Sequence, residues 1–413
     1  MTITPQNVLS SPICVVRGIP GSGKSNLAID TAIEAYRNKQ RVVLVTTSNA
    51  QSFDLCRRIS HRARNARVLL YHRTDLDIPS ILHSEGVEMA TGSSLFEHGP
   101  CIVLGNAAKW AWIKPPIPFF DLMIIDDASS IRESLFMQIS GLAKRYLIIH
   151  DQTPLSPIIK SNTQRWEHMS IAPHHSIIDT IKKHDPKIHT LDHTNRLPQD
   201  TVDILYPDVF PHKVTATSQE RRLVIPHPNT SLWKQVTQGA SLVQALFPSH
   251  TNEEIALWVA QNIKDLLAQK NTIHDTRMKG RLSPAKIAIV CAEHTQVLLM
   301  EKALGTLSKE ILIDIQLHQR SIERAIVFSF HPLNQMIHPS PYNWDPARLS
   351  LCVTRHRVAC ILLSTSTHYR RPITYRNLYQ EQNDILFGYH AHTTLQKKLI
   401  HRTHTQTNSI GIC

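Results

Sequence analysis

Short apolar runs recur along the first half of the chain at ICVV (13–16), RVVLVTT (41–47), CIVLG (101–105), DLMIID (121–126) and RYLIIHD (145–151), with helical or polar stretches between them. Runs of this length, rich in Val and Ile, predict buried strands, and their alternation with helices predicts a parallel sheet with crossover helices. A second series at KIAIVCA (286–292), ILIDIQ (311–316), RAIVFSF (324–330) and RVACILLS (357–364) predicts a second α/β domain. The stretch separating the two series, roughly 197–250, is rich in Pro, His and Thr and reads as a loop-rich segment.

Within TNEEIALWVAQNIKDLLAQ (251–269), Ile255, Trp258, Val259, Ile263, Leu266 and Leu267 fall on one helical face behind a capping Thr251 or Asn252 and early glutamates. That pattern predicts a helix that packs on a core. No internal repeat is visible, and the segment 371–413 is polar, basic and His-rich, which predicts a poorly ordered tail.

Between the first apolar run and the helix-like NLAIDTAIEAYR lies GIPGSGKS (18–25). It fits the phosphate-loop pattern, with a strand before it and a helix after it. Gly18, Gly21 and Gly23 permit backbone angles closed to other residues, so the N–H groups of the loop, including that of Ser22, can turn inward on a phosphate chain. Lys24 would meet the β and γ phosphates, Ser25 would offer its hydroxyl to Mg²⁺, and the following helix would aim its positive end at the same anion. ATP and Mg²⁺ are the cofactors this loop implies.

Composition narrows the partner. Lys plus Arg outnumber Asp plus Glu by 45 to 33, a formal charge of +12 across 413 residues, which suits a polyanion such as nucleic acid. No apolar run approaches the roughly 20 residues that cross a bilayer, and no basic-then-apolar leader opens the chain. Cysteines number seven, without a CxxC pair, and Cys14, Cys101, Cys291 and Cys360 sit in apolar runs and read as buried thiols. A soluble protein of a reducing, cytoplasmic compartment is expected.

DLMIIDDASS places Asp126 and Asp127 at the end of an apolar strand about a hundred residues after the phosphate loop. Behind such a loop, Asp126 would hold Mg²⁺ with Ser25, and Asp127 would orient or deprotonate the attacking water.

With these stretches in place the sequence resembles the superfamily 1 helicases, and among them the group of nonsense-mediated-decay helicases. VVLVTTSNAQSFDLCRRI resembles the strand ending in a Ser-Asn-Ala turn, IIDDASS the Asp-Glu-Ala-Ser motif, and LIIHDQTPLSPII the Gly-Asp-Pro-Lys-Gln-Leu-Pro-Pro motif. LDHTNRLPQDTVDIL, IVLGNAAKW, SIERAIVFSFHPL and RLSLCVTRHRVACILLS agree in order, so the resemblance covers roughly residues 12–365. It implies two tandem RecA-like P-loop domains with parallel sheets, 1–190 and 191–370, followed by the tail 371–413. It further implies that Arg196 and Arg355 act as arginine fingers from the second domain and that Glu323 contacts the ribose. On the strand side Ser48, Asn49, Asn106, Lys109 and Trp110 are the candidate contacts to single-stranded DNA or RNA, with Trp110 either stacking on a base or serving as an ordinary core tryptophan.

The sequence also departs from that pattern. Asp127 stands where the family has glutamate, withdrawing the carboxylate by one methylene. The coupling glutamine after Asp151 falls on Pro154, unless Gln152 substitutes, and the Gln-Gly pair of the fifth motif is replaced by Gln319-Arg320-Ser321. An adenine-reading glutamine would have to be Gln6. His150, His318, His390 and His392 lack Cys or carboxylate partners at ligand spacing and read as solvated side chains rather than zinc ligands. The expected activity is an ATP hydrolase of helicase type that translocates on a single strand. The alternatives are a nucleotide-dependent clamp or switch subunit of a larger complex, and a phosphate-loop kinase.

Overall fold

A computed structural model of the chain describes residues 3–72, 78–97, 99–113, 118–153, 157, 163–166, 168–169, 172–217, 221–247, 250–315, 323–334, 341–365 and 388–400. Two compact units divide it, Met1–Leu191 and Asp192–Cys413.

Unit 1 is built on an all-parallel sheet whose strands are β1 (Ile13–Gly18), β2 (Val42–Thr46), β3 (Val68–Tyr71), β4 (Glu88–Ala90), β5 (Ile102–Asn106), β6 (Leu122–Ile125), β7 (Tyr146–Asp151) and β8 (Lys187–Leu191). Their order across the sheet is β4-β3-β5-β2-β6-β7-β1-β8. The apolar runs become its central strands because both faces are covered. Val42 and Leu44 enter one core with Leu27, Ala28 and Ala32 of the helix α1 (Lys24–Arg37), whereas Val43 and Val45 enter the opposite core with Phe120 and Phe136. The strands β4 and β8, which carry no apolar run, lie at the two edges, where Glu88, Lys187 and Ile188 are exposed. Short, charged edges of this kind leave little to pair with another chain.

Unit 2 contains a five-stranded parallel sheet of β9 (Leu242–Phe247), β10 (Ile287–Cys291), β11 (Leu312–Ile315), β12 (Arg324–Phe330) and β13 (His356–Thr365), ordered β9-β13-β12-β10-β11. The expected packing helix forms as Asn252–Ala268, capped by Thr251 in a reciprocal bond set with Glu254, and buries Ile255, Val259, Ile263 and Leu266 against this sheet's core. Trp258 and Leu267 pack on the same core while half-buried.

Two expectations fail in unit 2. The stretch read as loop-rich contains the helices Gln199–Leu205 and Ser231–Thr237 and the strand β9, whose alternating burial is that of a sheet edge rather than of an apolar run. Part of the expected tail is also ordered, since residues 388–400 are helical. Ala391, Leu395 and Leu399, four residues apart, are buried, and Lys398 Nζ binds the Ile204 and Tyr206 carbonyls and the Asp208 carboxylate. Among the described residues no helix is long and apolar enough to cross a membrane. The described cysteines, Cys14, Cys56, Cys101, Cys291, Cys352 and Cys360, are free and buried.

Candidate active site

The phosphate loop follows β1 and opens α1 as its sequence predicts. Gly23 has φ +97°, a left-handed conformation that L side chains rarely adopt, and a Cβ at Gly18 would come within 2.5 Å of Ser22 Oγ and 3.0 Å of Leu191 Cβ. Lys24 is nine-tenths buried. Its Nζ lies 2.6 Å from Asp151 Oδ1 and donates to the carbonyls of Gly18 at 2.9 Å and Ile19 at 3.0 Å. Ser22 Oγ is buried with no hydrogen-bond partner among the described residues. A buried orphan hydroxyl beside an ammonium is a donor set suited to a phosphate oxygen.

At the end of β6, Asp126 receives a hydrogen bond from Ser25 Oγ at 2.8 Å and Asp127 turns left-handed at φ +58°, a conformation that Asp tolerates better than most residues. The two oxygens of Ser25 and Asp126 are close enough to share one cation. Burial, and after it the neighbouring Asp127 charge, push the Asp126 carboxyl up, against hydrogen bonds from Ser25 and Gln51 and the charge of Lys24. A bound divalent cation would relieve both penalties, so the residues present fit Mg²⁺.

Gln51 is a site residue that the sequence pattern does not single out. It lies in the first turn of the helix α2 (Asn49–Arg62), and its Nε2 donates to Asp126 Oδ2 at 3.2 Å and to Asp127 Oδ2 at 3.4 Å. Gln152, suggested as a substitute for the glutamine that Pro154 displaces, is nine-tenths buried and neither atom of its amide has a partner among the described residues. Pro154 lies outside the described residues, as do His318 and the Gln319-Arg320-Ser321 stretch. Gln6 contacts Glu34 rather than the loop, its Nε2 donating at 3.3 Å.

Where β2 and β5 end side by side, Ser48 caps α2 by accepting from Gln51 N, and Asn106 Nδ2 donates to Asn49 Oδ1. Lys109 Nζ sits 4.6 Å from the centroid of the Tyr71 ring. Of its two expected places Trp110 takes the core, which removes it from the strand contacts. It is fully buried between Tyr71 and Phe120, and it packs so closely over Gly105 that a Cβ there would come 2.9 Å from its indole nitrogen. A ring in that position fills the core and cannot stack on a base. Two residues further on, Trp112 is 86% exposed, with its backbone N–H bonded to Lys109 O.

In unit 2, Arg196 and Arg355 are both brought to one end of the sheet and both are buried. Arg196 Nε donates to Glu323 Oε2 at 3.0 Å, and its Nη1 reaches the carbonyl of Thr354, next to Arg355. Arg355 O in turn accepts from Arg324 N at the start of β12. Glu323 also meets Arg357 at 3.2 Å and Arg277 at 3.3 Å. Burial opposes its charge, but Arg196 and Arg357 outweigh that and hold the carboxyl below the usual glutamate range. Behind this cluster Asp275, with no exposed side-chain area, takes a fork of hydrogen bonds from Arg357 at 2.8 and 2.9 Å and an ion contact from Arg221 at 3.3 Å. Arg221 and Arg357 then donate onward to the main-chain carbonyls of Asn195 and Arg196, fixing the turn that carries Arg196. Burial and the adjacent Arg357 charge lower Arg221 to about 10.

His150, in the strand β7, bonds its Nδ1 to the Asp151 carbonyl at 2.7 Å, and burial lowers its pKa. His392 stacks against His331 and Trp344, and His390 lies 3.7 Å from Asp208, so these histidines are placed by packing and pairing.

No known family's sequence profile matches the chain. Among curated proteins it is similar to the DNA replication ATP-dependent helicase/nuclease dna2 of Schizosaccharomyces pombe (strain 972 / ATCC 24843), with 19% identity over 372 residues, 85% of this chain and 26% of that protein. Among solved structures it is similar to Arterivirus nonstructural protein 10 (helicase), at TM-score 0.46 and 14% identity over 87% of this chain and 60% of that one. The PRRSV helicase gives TM-score 0.45 and 12% identity over 90% of this chain and 55% of that one. The Arterivirus protein in complex with DNA gives TM-score 0.45 and 12% identity over 87% and 62%. The chain thus spans about a quarter of the curated relative and less than two thirds of the solved ones. The proteins it is similar to are named helicases, and nothing in these similarities singles out the nonsense-mediated-decay group.

Proposed function

We propose that the protein is a nucleoside triphosphatase of helicase type that binds ATP with Mg²⁺ at the phosphate loop and works on single-stranded nucleic acid. The observation that carries this reading is the loop itself: buried Lys24, the orphan hydroxyl of Ser22, and Ser25 at 2.8 Å from Asp126. Mg²⁺ held by Ser25 and Asp126 would neutralise charge on the phosphate chain. Lys24 binds the same phosphates, and Asp127 orients the attacking water as its base. Gln152, whose amide has no partner among the described residues, supplies a donor and an acceptor for the γ phosphate or that water.

Arg196 and Arg355 of unit 2 act as fingers on the γ phosphate, and Glu323 is the ribose contact, so that hydrolysis depends on both units. Ser48, Asn49, Asn106 and Lys109 face the strand. Trp112, not Trp110, is the ring available to stack on a base, an interaction that tolerates any sequence and suits a motor. The dna2 relative is named a DNA helicase/nuclease; for this chain the helicase part is the reading, and DNA and RNA are both candidate tracks.

One feature favours a clamp that closes without translocating: Pro154 removes the glutamine expected to couple the two activities. The two readings separate when ATP turnover is measured against oligonucleotides of increasing length. A translocating motor gains turnover with length before reaching a plateau, whereas a clamp responds to occupancy alone.

A further inference from the structure

Gln51 joins two parts of unit 1 that the proposed function keeps separate. On one side it belongs to the turn that ends β2. Its main-chain N–H is held by Ser48 Oγ at 3.3 Å, and its Oε1 accepts from both Thr47 N and Thr47 Oγ1 at 3.2 Å. On the other side its amide nitrogen donates to Asp126 at 3.2 Å and Asp127 at 3.4 Å, the two carboxylates assigned to metal and water. With its oxygen fixed by Thr47, the side-chain amide cannot shift unless that turn shifts, and both carboxylates lean on the same NH₂ group. Ser48 and Asn49, which flank it in the same turn, are the residues proposed to touch the strand, and Asn49 is further tied to Asn106.

We propose that Gln51 is the positioning residue that couples the strand-facing turn to the acid pair, so that single-stranded nucleic acid on Ser48 and Asn49 sets the carboxylates for hydrolysis. The inference rests on the reading of unit 1 as a strand-responsive ATPase and adds the route by which the response travels. It also accounts for how coupling can survive with proline at position 154: the contact comes from the end of β2 rather than from the segment after β7.

The experiment compares the full-length protein with Gln51→Ala and Gln51→Glu. ATP turnover is measured without strand and with saturating oligothymidylate or oligouridylate, while nucleotide and strand affinities are measured separately. Gln51→Ala should leave both affinities within about twofold and cut strand-stimulated turnover roughly ten- to a hundredfold, the scale of a misplaced catalytic group, so that the stimulation ratio approaches one. Gln51→Glu keeps the shape and the Thr47 bonds but sets a third carboxylate beside the pair, so it should be worse than alanine. A packing role would give the reverse order. A stimulation ratio within twofold of wild type in Gln51→Ala overturns the proposal, as does a loss of stimulation traced wholly to lost strand affinity. If the wild-type protein itself shows no stimulation, the motor reading fails on its own. Gln51 is then judged by the Mg²⁺ concentration that supports nucleotide binding: a several-fold rise in Gln51→Ala sustains its hold on the acid pair, and no change overturns it.

Discussion

Replacing Asp275 with alanine removes the carboxylate that the buried guanidiniums of Arg357 and Arg221 share. The side chains of Arg357 and Arg221 are 1% and 2% exposed, and Asp275 is their common partner at 2.8–3.3 Å. Without it, Arg357 keeps Glu323 at 3.2 Å and the Asn195 carbonyl, while Arg221 keeps, among the described residues, the main-chain carbonyls of Asn195 and Arg196. Removing one partner of a buried pair costs about 3–5 kcal/mol because an uncompensated charge is left behind, and here two cations then repel each other as well. For a unit of this size that amounts to a fall of roughly 6–20 °C in melting temperature, at about 2–4 °C per kcal/mol. The consequence reaches function because these guanidiniums hold the carbonyls of Asn195 and Arg196, so the turn bearing the proposed finger loosens with them. Urea unfolding followed in the nucleotide-free protein, alongside ATP turnover under conditions where the variant stays folded, reads both effects. A stability loss below about 1 kcal/mol, the size of a surface pair, would refute the reasoning. So would a large stability loss with unchanged turnover in the folded fraction, as far as the support of Arg196 is concerned.

Four further outcomes follow from the same contacts. Lys24→Ala should reduce turnover by more than about a hundredfold, and it should also cost the empty protein about 1–3 kcal/mol, because it takes the ammonium away from Asp151 and two loop carbonyls; unchanged turnover rejects the phosphate-loop assignment. Asp127→Asn should lower turnover about a hundredfold while Asp127→Glu stays near or above wild type, and a tolerated asparagine means that Asp127 does not orient the water. Arg355→Ala should keep nucleotide affinity within about tenfold yet lose about a thousandfold in turnover, whereas small and equal changes in both quantities remove it as a finger. Burial lowers the pKa of His356 to about 3 from the 6.5 of an exposed histidine, so the unfolded chain binds the extra proton first. Stability of unit 2 should then fall as pH drops below about 6.5, before its carboxylates titrate. A urea midpoint for that unit that stays flat from pH 6.5 to 5, or a slope that His356→Gln leaves unchanged, contradicts the assignment.

How much of this was legible beforehand depended on how local the cause was. The strands β1, β2, β6, β7, β10, β12 and β13 announce themselves because burial on both faces forces a continuous apolar run, and the phosphate loop does so because its glycines, Lys24 and Ser25 act within a few residues of one another. Edge strands such as β4, β8 and β9 carry polar residues and gave no such run. Trp110 and Trp112 are indistinguishable in sequence, and their opposite fates are decided by Gly105, Tyr71 and Phe120 coming together around the first. The helix at 388–400 was hidden in a polar, basic segment because its buried stripe is only Ala391, Leu395 and Leu399 wide. Gln51 and Asp275 could not be read at all, since their partners lie 75 and 82 positions away in the chain. The resemblance to helicases names candidate residues for ATP, but it is silent on the contacts that hold those residues in place.

The central claim, that the phosphate loop and acid pair of unit 1 hydrolyse ATP in response to a single strand, is met most directly by steady-state ATP turnover with and without saturating single-stranded DNA or RNA. Wild type and Lys24→Ala are measured side by side. Wild type alone should turn over slowly and rise about tenfold or more with at least one of the two nucleic acids, whereas Lys24→Ala should show no rise. Turnover in wild type that neither nucleic acid changes, or stimulated turnover that survives in Lys24→Ala, would contradict that claim.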